Sequence, residues 1–172
     1  PLTGLANRRY LDEVLEIEWN RAMRHQTPIT IMMIDIDYFK LYNDSLGHLQ
    51  GDQCLKRISI LLSSISSRSD DLAARYGGEE FLLLFAMTNQ DQALIQAQRL
   101  MELVRNIGII HPRSNVSKHV TVSVGVATTI PHLNDNLSEF IAQADRALYI
   151  AKSNGRNQYH LTTTYHETHE VM

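Results

Sequence analysis

The chain has 172 residues, 44% hydrophobic and 20% charged, with a formal net charge of -3. That length suits one domain with a sizeable core, and the charge supplies no global field to draw the chain onto nucleic acid or an anionic membrane. The single cysteine, Cys54, leaves no internal disulfide framework and fits a reducing compartment, and no apolar run approaches the roughly 18 residues that span a bilayer.

Residues 1–5 read as a loop feeding a helix from about Asn7 to Arg24, with Leu11, Val14, Leu15 and Ala22 at helical spacing. Gln26-Thr27-Pro28 stops it. Ile29 to Ile34 is an unbroken β-branched and Met run, expected as a buried central strand. It empties into Asp35-Ile36-Asp37-Tyr38-Phe39-Lys40, at the strand end where α/β sheets tend to place ligands. Leu41 to Gly51 reads as a connection. A helix is expected from about Asp52 to Ser66, with Leu55, Ile58, Leu62 and Ile65 inward. Leu72-Ala73-Ala74 and Phe81 to Phe85 then form a hairpin around Gly77-Gly78, since glycine tolerates the positive φ of a tight turn. Thr88-Asn89-Gln90-Asp91 caps a helix with Ala93, Ala97, Leu100 and Val104 on one face. Ile107 to Ser117 is irregular, His119 to Ala127 a fourth strand, Leu137 to Lys152 a helix, and Gln158 to Leu161 a short last strand. Residues 162–172 read as a polar tail. The fold class expected is α+β, a ferredoxin-like βαββαβ core with an extra N-terminal helix and a mostly antiparallel sheet flanked by helices.

Three groups of residues converge on one end of that sheet. Asp35, Asp37, Glu79 and Glu80 are carboxylates that repel unless a hard cation sits among them, and Mg²⁺ takes one or two carboxylates plus substrate phosphates. Asn43 and Asp52 pair an amide with a carboxylate, a set able to read a guanine edge. Lys40, Lys152 and Arg156 suit a triphosphate. Asp37 is read as structural, Cys54 as a core filler and His48 as a loop-packing residue. His166-Glu167-Thr168-His169 has the wrong spacing for a zinc helix and is read as tail.

Gly77-Gly78-Glu79-Glu80-Phe81 resembles the signature of the GGDEF family of bacterial diguanylate cyclases, in its GGEEF form. The resemblance extends through Leu2-Thr3-Gly4-Leu5, Asp35 to Lys40 with Asn43-Asp44, Gly47-His48 with Gly51-Asp52, Ser123 to Ala127, and Ala144-Asp145 through Asn157. These blocks stand in family order over roughly residues 2–160, and the domain is assigned to residues 1–161. The resemblance implies a palm-like cyclase fold that condenses two GTP into cyclic di-GMP and two pyrophosphates at a two-fold homodimer interface, a step in biofilm signalling. It implies Mg²⁺, or Mn²⁺ in its place, as two ions per half-site. Their ligands would be Asp35, the Ile36 carbonyl, Glu80 and Glu79, with Glu79 also the candidate base at the 3′-hydroxyl. Asn43 and Asp52 would take the guanine; Phe39, Lys40, Gly77, Gly78, Lys152 and Arg156 complete the substrate set.

Arg68-Ser69-Asp70-Asp71 matches an R-x-x-D product-inhibition site, Arg68 and Asp71, with Arg99 from the following helix; Arg9 to Asp12 satisfies the same pattern inside the first helix. The chain begins at Pro1, without the Asp that usually precedes the Leu-Thr-Gly-Leu block. A domain cut from a longer, multidomain protein is therefore expected. An upstream sensor or dimerisation region and a cytoplasmic location follow from the same reading, with neither membrane contact nor nucleic-acid binding within the fragment. The alternative is a catalytically silent domain that binds GTP or cyclic di-GMP and passes on a signal.

Overall fold

Every residue of β1 (Ile29–Ile36) is buried, which explains why that stretch is apolar on both faces rather than alternating. The computed structural model describes residues 2–163. β1 lies at the middle of a five-stranded sheet. On one side it pairs antiparallel with β3 (Glu80–Ala86), which continues to β2 (Leu72–Gly77). On the other it pairs antiparallel with β4 (Val122–Thr129), which carries β5 (Gln158–Thr163) as a parallel edge. The order β2-β3-β1-β4 is that of the expected ferredoxin-like core.

Strand alternation sorts the core into two halves. Met32, Ile34 and Ile36, with Phe81, Leu83 and Phe85, pack towards α3 (His48–Ile65) and α4 (Gln90–Ile107). Ile31 and Met33, with Leu82 and Leu84, pack towards α1 (Arg8–His25) and α5 (Leu137–Ser153). Asn7 caps α1 and Asn89 caps α4 through a reciprocal box with Gln92. Leu11, Leu15 and Ala22 are buried as expected, and so are Glu18 and Trp19, which the helical pattern left out. Trp19 meets Phe140 of α5 at 5.2 Å between ring centres.

Gly125 sets how closely α5 approaches the sheet. A Cβ there would stand 2.2 Å from both the Ala144 carbonyl oxygen and the Leu148 nitrogen. The helix backbone rests directly on β4, which only a residue without a side chain permits.

Five expectations change. The Leu41–Gly51 connection is largely helical: α2 (Phe39–Leu46) forms despite Asn43, Asp44 and Ser45 because Phe39 and Tyr42 bury into the core. Gly47, at φ +86, closes α2 and opens α3, which starts at His48 instead of Asp52. His48 is therefore an exposed helix-start residue, not a loop-packing one. β4 is displaced to Val122–Thr129, with His119 in an isolated bridge to Ile110. β5 runs on to Thr163, taking in the first two residues assigned to the tail. The His166 to His169 stretch lies outside the described residues.

The N-terminal segment is hydrogen-bonded to the sheet edge. Ala6 donates to the Ala73 carbonyl at 3.4 Å and accepts from the Arg75 nitrogen at 3.1 Å. Among the described residues no helix is long and apolar enough to cross a membrane.

Candidate active site

Asp35 and Glu80 stand directly opposite each other in the β1–β3 register, so both side chains leave the sheet on the α5 side. Opposed residues of such a pair have Cβ atoms roughly 4.5–5.5 Å apart. Like charges that close are unfavourable without a cation. Lys152, in the last turn of α5, supplies one: its Nζ donates to Asp35 Oδ2. The close seating of α5 on Gly125 brings that ammonium within reach. Burial pushes the Asp35 carboxyl above its usual range; Lys152 opposes the shift, and Glu79 and Asp37 add to it. Burial also raises Glu80, with the charge of Asp35 as the next cause. Asp145 contributes to the same field, and the seven-residue step from Asp145 to Lys152 was the sequence signal that they share a face of α5.

Asp37 lies beyond the end of the strand, and its carboxylate is fully engaged in structure. It accepts from Thr121 Oγ1 at 2.8 Å, Ser123 Oγ at 2.6 Å and the Asn157 backbone nitrogen at 3.0 Å. The last of these pins the loop after α5, where Gly155, Arg156 and Asn157 all have positive φ. Arg156 is thereby laid over Tyr38, with its guanidinium carbon 4.6 Å from the ring centre. Tyr38 itself holds φ +53 at the start of α2. Sequence reading had no signal for that stacking.

The hairpin turn is Gly78-Glu79, not Gly77-Gly78: Gly77 pairs with Glu80, and only Gly78 has positive φ. Arg75 Nε holds the Gly78 carbonyl at 2.8 Å, and the Ile36 nitrogen donates to the Glu79 carbonyl at 3.3 Å. Glu79 therefore reaches the site at the tip of a braced turn.

Asn43 on α2 and Asp52 on α3 flank the Gly47 break, both half-buried. Asn43 Oδ1 is buried with no hydrogen-bond partner among the described residues, an acceptor waiting for a donor. Gly51 makes room for it, since a Cβ there would stand 1.7 Å from Asn43 Oδ1. Gly51→Ala should therefore turn the Asn43 side chain aside at little cost in stability. Binding of whatever ligand donates to Asn43 Oδ1 should weaken about tenfold, the loss of about one hydrogen bond, as read by titration of the variant against the unaltered protein. Phe39 packs its side chain into the core, stacked on Tyr42, and Lys40 is exposed in the first turn of α2.

Arg68 and Asp71 close on each other. Arg68 donates to both Asp71 oxygens, to the Ala86 carbonyl at 2.9 Å and to Thr88 Oγ1 at 2.7 Å. Asp71 is almost wholly covered, while Arg68 keeps about half its side chain exposed. Arg99 is exposed on α4. Cys54 is buried and its thiol is pushed up to about 11 by burial, which suits a core filler.

Among the described residues no group of three or more His, Cys, Asp or Glu side chains is gathered for a metal. A Mg²⁺ ion needs fewer: one or two carboxylates, with water and substrate phosphates completing the shell. The Asp35–Glu80 pair, drawn together and raised in pKa, fits that demand.

The chain matches the family profile described as diguanylate cyclase, GGDEF domain, over residues 1–158. The chain belongs to the GGDEF domain family. It is similar to Diguanylate cyclase DgcZ of Escherichia coli K12, 38% identical over 159 residues, which are 91% of this chain and 51% of DgcZ. A second relative, the Probable diguanylate cyclase DgcT of the same organism, is 39% identical over 92% of this chain and 34% of its own length. The chain thus spans about half the length of the first relative and a third of the second. Among solved structures, the GGDEF domain of DgcB from Caulobacter crescentus, in complex with c-di-GMP, superposes with a TM-score of 0.85. It is 30% identical, and the match covers 95% of this chain and 92% of that domain. The active GGEEF domain of a diguanylate cyclase from Vibrio cholerae gives 0.80 at 32% identity, over 93% and 99%. The five-stranded sheet with flanking helices is therefore a GGDEF-domain fold.

Proposed function

We propose that this GGDEF domain is a diguanylate cyclase that condenses two GTP into cyclic di-GMP and two pyrophosphates. The observation that carries the reading is the Asp35–Glu80 pair, opposed across β1 and β3 beside a braced Gly78-Glu79 turn, in a chain whose relatives are named cyclases. Asp35 and Glu80, with the Ile36 carbonyl and Glu79, hold Mg²⁺ or Mn²⁺. The bound metal supplies charge neutralisation on the phosphates and a lowered pKa for the attacking hydroxyl.

Within the protein, the guanine is taken by Asn43 and Asp52; the unpartnered Asn43 Oδ1 supports this. Lys40, Lys152 and Arg156 take the phosphates, and the Gly77-Gly78 backbone approaches them. The 3′-oxygen of one GTP attacks the α-phosphorus of the other, its proton passing towards Glu79 as the bond to pyrophosphate breaks. The same exchange in the opposite direction closes the ring. One site holds one GTP, so two domains face each other across a two-fold axis. Positioning and electrostatics do most of the work in such a transfer.

Incubating the protein at several concentrations with GTP and Mg²⁺, followed by nucleotide chromatography, tests this. Cyclic di-GMP should appear with a steeper than linear dependence on protein concentration. GTP that binds but yields no product at any concentration would leave a silent binding domain instead.

Product inhibition through Arg68, Asp71 and Arg99 belongs to the same proposal. The Arg68 side chain, about half exposed and braced by the covered Asp71, supports it. Arg68→Ala should relieve inhibition by cyclic di-GMP at least tenfold. It should also cost about 1–3 kcal/mol of stability, because the buried Asp71 carboxylate loses its partner. A folded variant with unchanged inhibition, measured as the product concentration that halves the rate, would move the site elsewhere.

A further inference from the structure

We propose that Lys152 is an exchangeable internal cation, which occupies Asp35 in the metal-free protein and is released to the substrate phosphates when metal displaces it. The inference rests on the cyclase reading above and deepens it, because it sets the order in which the site fills.

The geometry argues for exchange rather than a fixed ion pair. Lys152 is the last residue but one of α5, and α5 is held rigidly on β4 by the absence of a side chain at Gly125. The lysine stem therefore starts from a fixed point, while its four-carbon chain can swing. Its ammonium donates to Asp35 and to nothing else recorded among the described residues. Asp35 in turn is almost fully covered, and Glu80 faces it across the strand pair. Two carboxylates at a metal-free site need a counter-charge, and Lys152 is the group that provides one.

The other cation of this loop is held differently. Arg156 lies over the Tyr38 ring with one nitrogen 3.4 Å from the Tyr38 hydroxyl, so it is braced by an aromatic face and free of Asp35. Of these two phosphate candidates, one is parked on the metal ligand and the other is already posted beside it. Metal arriving at Asp35 competes directly with Lys152 alone. Once displaced, the ammonium needs a new anion, and a nucleotide triphosphate is the one that arrives with the metal. Metal and nucleotide then bind synergistically, and the nucleotide-free protein binds metal poorly.

The test is Mn²⁺ binding, read by electron paramagnetic resonance of the free ion, with and without a GTP analogue lacking the 3′-hydroxyl. Without nucleotide, Lys152→Met should bind Mn²⁺ about tenfold more tightly than the unaltered protein, equivalent to about 1.4 kcal/mol. Mn²⁺ should also raise its melting temperature by more, through linkage to the folded state. Lys152→Gln serves where Met prevents folding. Lys152→Arg keeps the charge and should show no gain. Arg156→Gln removes an equal charge that is not parked on Asp35 and should also show no gain. An equal gain in Arg156→Gln would mean that the general field is at work, and would overturn the exchange. A gain in Lys152→Arg would point to crowding and overturn it too. If the unaltered protein binds Mn²⁺ with the analogue but Lys152→Met gains nothing, the exchange alone is wrong. If neither binds Mn²⁺ under any condition, the metal site falls, and the proposed cyclase with it.

Discussion

Glu80→Gln should abolish cyclic di-GMP formation, with a fall of about 10³-fold or more, and yet leave the metal-free protein more stable at neutral pH. The loss follows from removing half of the carboxylate pair proposed to hold the metal, in a proposed reaction that is mostly positioning and charge neutralisation. The gain follows from the raised carboxyl of Glu80, caused first by burial and then by the facing charge of Asp35. A carboxyl with a raised native pKa holds its proton to higher pH than the unfolded chain does. Between the ordinary carboxylate pKa and the raised one, the native state therefore binds more protons, and stability falls as pH rises through that window. Above the window the deficit is constant; below it the deficit vanishes. Glutamine removes the ionisation, so the variant's advantage in chemical denaturation without metal should be present at pH 7 and gone below about pH 4. Retained turnover would remove Glu80 from the metal site. A variant less stable than the unaltered protein at pH 7 would mean that the amide breaks contacts the carboxylate makes.

Gly125→Ala should be the most damaging glycine-to-alanine change. The added Cβ would meet the Ala144 carbonyl oxygen and the Leu148 nitrogen at 2.2 Å, and both belong to helix backbone that cannot rotate away. α5 must lift from β4. Overpacking of this kind costs about 3 kcal/mol, a fall of roughly 6–12 °C in melting temperature for a domain of this size. The same lift carries Lys152 away from the strand end where it is proposed to meet the substrate phosphates, so the variant should also lose activity at temperatures where it remains folded. Gly51→Ala makes the contrast, since the atom it meets is the tip of a side chain. A Gly125→Ala protein that melted with the unaltered one would show that α5 is not seated as described.

These two glycines mark where the sequence was legible and where it was not. Periodicity found α4 and its inward residues Ala93, Ala97, Leu100 and Val104, because an amphipathic helix writes its buried face at a fixed spacing. It found β1 because a strand buried on both faces is apolar throughout. The family motif blocks pointed to Asp35, Glu80, Asn43, Asp52 and Lys152, and the fold brings Asp35, Glu80 and Lys152 together at one strand end. What sequence did not carry was contact between distant segments. α2 looked like a loop because Asn43, Asp44 and Ser45 favour turns, and only tertiary burial of Phe39 and Tyr42 overrides them. The turn was placed one residue early because either glycine could have taken the positive φ. Arg68 and Asp71 stood out only as a pattern, and sequence did not show that Arg68 is braced by Asp71, Ala86 and Thr88 while half its side chain stays exposed. Lys152 was read as a phosphate contact, and its hold on Asp35 became visible only once α5 was seated on the sheet.

The Asp37 carboxylate bears on how the protein folds as well as on how it is held together. Its three donors lie 84, 86 and 120 residues away along the chain. None of these bonds can form until β4 has docked beside β1, and the last must wait for the loop after α5. Contacts of such long sequence separation form slowly, since chain closure precedes any reward from them. The end of the sheet that carries Asp35, Lys152 and Arg156 should therefore assemble after the β1–β3 pairing that frames it. The Asn157 amide, locked only when that assembly is complete, is a natural hydrogen-exchange reporter of it. In a folding pulse-labelling experiment it should gain protection later than the amides of Leu82 and Leu84.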